Sequence, residues 1–197
     1  MKTVIFMVRH AESPFRFGQE RTRKLSKQGE LDAKLITDIM GKENIDIMVS
    51  SPYIRAIQTI EGLSSNNKLE IQVFEELKER PLKGNYKLPD EERQTAIKRS
   101  FDDLDYCLPG GETIKQAQTR VIPLIQKLLS KYEGKNIVIG THGIIMTAIL
   151  NYYDKKYGYD FWNSTTKPDI YKLTFLENKI QSVKRLWKLV DNPLFLQ

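Results

Sequence analysis

The 197-residue chain holds one cysteine and two histidines, and both scarcities exclude chemistry. A lone Cys107 cannot form an internal disulfide, so nothing points to an oxidising compartment. One thiol and two imidazoles are too few for the usual multi-ligand zinc centre. The expectation is a protein that uses no metal and no cofactor. Long apolar runs are missing too. None nears the roughly 20 residues that cross a bilayer, and the run at 4–8 is shorter than the about 7–15 of a signal-peptide core. A cytoplasmic protein without a membrane partner is expected. Neither sign of charge dominates: 31 Lys and Arg against 25 Asp and Glu leave +6, which suits an anionic substrate. The densest basic stretch, 16–27, lacks the interleaved aromatic residues of a base-stacking surface. No nucleic-acid partner is expected.

What is present is an alternation of strand-like and helix-like apolar periods, with no internal repeat and no long linker. That alternation predicts an α/β fold: a mostly parallel central sheet flanked by helices on both faces, with an antiparallel edge hairpin near the C-terminus. The length suits a single domain over 1–197, with a small cap insertion at about 80–110. Strands are expected at 3–8, 45–49, 70–77 and 136–141. The first helix, 26–40, has Ser26 as N-cap, Leu31, Leu35 and Ile39 four apart on one face, and Gly41 at its end. A second helix at 52–63 has Ser51 as cap and Pro52 in its first position. Further helices are expected at 90–101, at 112–132 with a bend at Pro123, and at 143–153. The hairpin pairs 170–176 with 180–187 around Glu177-Asn178-Lys179. Edge strands near Tyr171 offer a surface for pairing two subunits as a homodimer.

The two histidines each follow an apolar strand: Arg9-His10 after the first, Thr141-His142-Gly143 after the fourth. Open α/β sheets build ligand sites at the carboxyl ends of their strands. Two other strand ends lead to Arg55 and Glu79. Together they would assemble two imidazoles, two guanidiniums and a carboxylate around one crevice, with backbone N–H donors from helix starts at Pro52 and Gly143. Such a pocket suits a phosphoryl group. Arg55 lies in a first helical turn, where a cation opposes the helix field, and a dianionic ligand would reverse that penalty.

Arg9-His10-Ala11-Glu12-Ser13 resembles the opening signature of the histidine phosphatase superfamily, the group that includes cofactor-dependent phosphoglycerate mutases. The resemblance continues in family order through Leu25-Ser26-Lys27-Gln28-Gly29, the block from Ser50 to Thr59, Leu77-Lys78-Glu79, Gly110-Gly111-Glu112-Thr113 and Thr141-His142-Gly143. It implies a phosphohistidine mechanism. His10 is then the nucleophile, Arg9, Arg55 and His142 clamp the phosphoryl oxygens, and Glu79 protonates the leaving oxygen before activating water. His142 serves that role best as the imidazolium, so the two histidines are expected to differ in charge. Glu79 is preferred to Glu75 and Glu76 by its offset after Leu77. Ser13 either reaches the phosphate or stabilises a turn, and Glu112 is either a helix-start anion or a ligand contact. Arg16 stands where many relatives carry asparagine, so a guanidinium near the phosphate is one reading and a shifted loop the other. The His142-Gly143 pair points to the phosphoglycerate mutase-like branch. The expected function is hydrolysis of a phosphomonoester, a small phosphorylated metabolite, through a phosphorylated His10. The alternatives are a cofactor-dependent phosphoglycerate mutase-type isomerase and, ranked below it, a non-catalytic phosphate-binding module.

Overall fold

The structure, a computed structural model, describes residues 1–187. Six strands form one sheet: β1 (Lys2–Arg9), β2 (Ile47–Ser50), β3 (Ile71–Val73), β4 (Asn136–Thr141), β5 (Asp169–Leu176) and β6 (Lys179–Arg185). Their order across the sheet is β3-β2-β4-β1-β5-β6. The first four run parallel; β5 is antiparallel to β1, and β6 to β5. Six helices pack around it: α1 (Lys27–Met40), α2 (Ile54–Asn67), α3 (Asp90–Asp102), α4 (Ile114–Lys131), α5 (Gly143–Tyr153) and α6 (Tyr159–Ser164). The expected mixed sheet with helices on both faces and a terminal hairpin is the one observed.

The central strands carry near-continuous apolar runs, Val4 to Val8 in β1 and Ile137 to Ile139 in β4, because both faces are covered. In β1 the side chains alternate between two cores. Ile5 and Met7 join α4, α5, Ile139 and Phe175 on one face, while Phe6 and Val8 join α1, α2, Met48 and Val138 on the other. A third cluster, Ile97, Ile114, Ile144, Ala148 and Trp162, seats α3 against α4, α5 and α6. That cluster anchors the 80–110 segment at the carboxyl end of the sheet. Among the described residues no helix is long and apolar enough to cross a membrane.

Several local expectations are corrected. Ser26 does cap α1, its hydroxyl accepting from Gly29 N–H at 3.0 Å. Yet Leu31 and Leu35 are 54% and 42% exposed, and the buried face is Gly29, Ile36, Thr37 and Met40. Close approach sets the rotation: a Cβ on Gly29 would stand 2.2 Å from the Glu12 carbonyl oxygen, and one on Gly62 of α2 would stand 2.7 Å from Thr37 Oγ1. Two helices and a loop touch where side chains are missing, which turns the leucines outward. Gly41 ends α1 at φ −61°, a conformation any residue adopts.

Helix α2 begins at Ile54, with Tyr53 as its N-cap, so Ser51 and Pro52 lie ahead of it. The third strand stops at Val73, and Glu75–Leu77 form a 3-10 turn instead. Helix α6 was not expected. Strand β5 lies inside the sheet between β1 and β6, so Tyr171 is buried and the edge is β6.

Candidate active site

The parallel register delivers the site. Arg9 pairs with Thr141 and Ser50 with Gly140 at the last rungs of the ladders. The next residues continue the pattern outward: His10 N–H donates to the Thr141 carbonyl and Ser51 N–H to the Gly140 carbonyl, each at 2.9 Å. His10, Ser51 and His142 therefore emerge side by side. The two imidazole centroids are 5.2 Å apart, inclined at 64°. Both rings are buried, as are Arg9 and Arg55.

His10 is fixed in orientation and tautomer. Its Nδ1 lies 2.7 Å from the Ala11 carbonyl oxygen. A carbonyl can only accept, so Nδ1 carries the hydrogen and Nε2 keeps its lone pair. The Ala11 backbone is held in turn: its N–H donates to Thr59 Oγ1 at 3.0 Å, and that hydroxyl donates to the Arg55 carbonyl at 2.6 Å. Helix α2 thus positions the loop that presents His10. His142 Nε2 lies 2.7 Å from Ser51 Oγ, which also accepts from Tyr53 N–H at 3.2 Å. Its Nδ1 is buried with no partner among the described residues.

Burial first, and the Arg55 guanidinium second, hold both histidines well below the ordinary imidazole pKa of 6.5. The neutral form of both rings is therefore favoured in the free protein near pH 7. A stability consequence follows with a definite sign. Below pH 6.5 the unfolded chain binds protons that the native rings refuse, so stability is full above 6.5 and is lost as pH falls beneath it. Denaturant titrations between pH 7 and 5 should show unfolding free energy falling by roughly one kcal/mol per pH unit for each imidazole. His142→Gln should halve that slope; an unchanged slope would show that the rings are not held neutral.

The guanidiniums bracket the rings. Arg9 Nη1 donates to both oxygens of Thr165, at 3.1 Å to its carbonyl. A Cβ on Gly143 would sit 2.7 Å from Arg9 Cζ, so the absent side chain at the start of α5 is what lets the guanidinium lie there. Asp169, opposite Arg9 on β5 and ion-paired to Arg185, lends Arg9 a countercharge. Arg55 stacks on the Tyr53 ring at 4.8 Å, and Tyr53 meets His142 edge-on at 4.9 Å. Nη1 of Arg55 donates to the Glu20 carbonyl, and Nη2 stands 3.3 Å from the Glu20 carboxylate. Burial and the nearby Arg23 bring Arg55 down to about 10. The Nε donors of Arg9 and Arg55 are buried without partners among the described residues.

Glu79 is at the site, in a place the sequence did not suggest. Its carboxylate accepts from Ile144 N–H at 3.2 Å, Ile145 N–H at 3.1 Å and Arg80 N–H at 2.9 Å. It caps α5. Some of the donors expected at the two helix starts are therefore taken up within the protein: Ile144 and Ile145 N–H of α5 serve Glu79, and at α2 the Ile54 N–H donates to the Arg21 carbonyl. Glu112 holds Arg120 through both carboxylate oxygens, at 2.6 and 2.8 Å, and Arg120 donates to the Lys78 carbonyl at 3.0 Å. Glu112 is thus a brace behind Glu79. Glu75 pairs with exposed Arg21.

Two expected contacts lie elsewhere. Ser13 Oγ donates to the Lys24 carbonyl at 2.8 Å, closing a turn. Arg16 is exposed and faces a separate hollow with Pro14, Thr22 and Lys24. Glu79 lines a cleft of about 700 Å³ framed by residues 17–22 and 79–85, whereas Ser13, Arg16, His10, His142, Arg9 and Arg55 are not among its lining residues. Sequence reasoning missed Tyr53, Ser51 and Thr59 as site residues, although all three lie within one motif block. For Glu20, Arg23, Thr165 and Asp169 no sequence signal exists.

Comparison with known proteins agrees with this geometry. The "uncharacterized phosphatase PhoE" of Bacillus subtilis is 29% identical over 152 residues, covering 75% of this chain and 76% of that protein. Phosphoglycerate mutase-like protein 4 of Arabidopsis thaliana is 29% identical over 163 residues, covering 74% and 68%. A mycobacterial glucosyl-3-phosphoglycerate phosphatase shares the fold, with a TM-score of 0.73 at 20% identity over 94% of this chain and 96% of its own. The model of the histidine phosphatase superfamily, branch 1, matches residues 5–186. The chain belongs to that superfamily and that branch.

Proposed function

We propose that this histidine phosphatase hydrolyses small phosphomonoesters in two steps, through a phosphate carried on Nε2 of His10. The observation that carries the reading is His10 itself: a neutral ring, tied at Nδ1 to a carbonyl, beside a second imidazole and between two buried guanidiniums. In the first step the Nε2 lone pair attacks phosphorus while the ester P–O bond breaks. Glu79 passes its proton to the departing oxygen. Arg9, Arg55 and His142 hold the non-bridging oxygens, where charge must be held throughout transfer; Nε of both arginines and Nδ1 of His142 have no partner among the described residues. In the second step Glu79 takes a proton from water, the water oxygen bonds to phosphorus and the N–P bond breaks. Inorganic phosphate leaves and Glu79 is again protonated. Gly143 acts through Arg9, giving the guanidinium its place.

Hydrolysis rather than isomerisation is favoured by the cleft mouth. A mutase must keep water from the phosphoenzyme. Here the 80–110 segment, read as a small cap on a single domain, leaves a cleft with exposed Phe15 and Phe17 at its rim. Work on small phosphorylated metabolites in the cytoplasm fits this reading. Incubation with a panel of phosphorylated metabolites, and separately with 3-phosphoglycerate plus a bisphosphoglycerate primer, tests it. Release of inorganic phosphate with little isomerisation is expected. Efficient isomerisation with little free phosphate would select the mutase, and no release from any ester would select the non-catalytic module.

A further inference from the structure

We propose that Glu20 is a built-in competitor for the phosphoryl clamp, an anion of the protein itself that occupies Arg55 in the free enzyme and yields it to the substrate. The inference rests on the reading of Arg55 as a phosphoryl-binding residue.

Arg55 has five N–H donors in a fixed plane. Its Nη1 meets the Glu20 carbonyl, its Nη2 stands 3.3 Å from Glu20 Oε2, and its Nε has no partner among the described residues. The same Oε2 lies 3.3 Å from Arg23 Nε. A single carboxylate oxygen is thus shared between two guanidiniums beside His10, which is an arrangement a phosphate oxygen would also adopt. The hold is loose. Strong charge-assisted bonds measure about 2.7–2.9 Å and pair both oxygens.

A second ion pair in the same molecule shows what a structural one looks like. Glu112 grips Arg120 through both oxygens at 2.6 and 2.8 Å, and the two side chains are 16% and 18% exposed. Glu20 instead sits in the 10–26 loop with its side chain 43% exposed, against 1% for Arg55. The cation is anchored and the anion can swing into water. Glu79, the other carboxylate of the site, is pinned by three backbone N–H groups and lacks this freedom.

The consequence is selective. A dianionic phosphoryl group gains more from the clamp than the single charge it displaces, whereas a monoanion of equal charge gains nothing over Glu20. Inorganic phosphate, the product, meets the same competitor, and return of Glu20 to Arg55 helps to expel it.

Glu20→Gln keeps the side chain's size and removes its charge. Binding of inorganic phosphate and of orthovanadate, followed calorimetrically and as competitive inhibition, should tighten roughly three- to tenfold. KM should fall by a similar factor. Glu20→Ala should tighten binding as well, which guards against a local rearrangement specific to glutamine. Glu133→Gln removes the same charge beside Met1, at the opposite end of β1, and should change phosphate affinity less than twofold. Unchanged or weaker phosphate binding in Glu20→Gln would overturn the inference and make Glu20 a positioning residue for Arg55. Equal tightening in Glu133→Gln would overturn it too, because the effect would then be one of net charge. If phosphate fails to inhibit even the unaltered protein, the clamp itself is wrong and the proposed function falls with it.

Discussion

His10→Ala is expected to lower kcat/KM by about 10⁴ to 10⁶, the loss seen when a covalent nucleophile is removed from an otherwise complete site. The clamp survives the substitution, so binding of inorganic phosphate should persist. Substrate mixed with the unaltered protein and quenched in alkali should yield an acid-labile phosphoprotein; the variant should yield none. Stability calls for a separate check. His10 is buried, so alanine leaves a small cavity and strands the Ala11 carbonyl, at a cost of about 1–3 kcal/mol. A folded variant that retains more than a few per cent of activity would remove His10 from the nucleophilic role.

Glu79→Gln should separate substrates by their leaving groups. An alkyl phosphomonoester needs a proton on its departing oxygen and should lose about 10²–10⁴ in kcat/KM. A nitrophenyl ester leaves as a stabilised anion, and its kcat/KM should fall by less than tenfold. The comparison belongs in kcat/KM, which reports the phosphorylation step, since kcat also includes water activation by the same residue. The amide of the variant would present an NH₂ group to one of the three backbone donors from which Glu79 now accepts. A melting temperature lowered by a few degrees is therefore expected alongside, from one unsatisfied donor at the start of α5. Equal losses for both esters would take Glu79 out of the acid role and leave it as the cap of a helix.

Much of the site was legible because it sits on strand ends. Apolar runs followed at once by Arg9-His10 and Thr141-His142 state locally where the chain leaves the sheet, and parallel pairing then brings those exits together. The apolar period of α1 was equally visible, but it could not choose a face. Leu31, Leu35 and Ile39 satisfy the helical repeat as well as Ile36 and Met40 do, and glycine contacts with Glu12 and from α2 decide between them. Ser13 and Arg16 were placed by motif position alone. Loop residues 10–26 follow no period, so their directions depend on partners such as Lys24 that are set by the folded loop.

From sequence alone came the α/β architecture, the mixed sheet and the company of His10, His142, Arg9 and Arg55, all consequences of short-range pattern plus strand topology. The folded state alone decided the charge of the imidazoles, the capture of the α5 amides by Glu79 and the pairing of Arg55 with Glu20. Those properties arise from burial and from charges brought close by distant segments. Desolvation and through-space electrostatics have no signature in residue order.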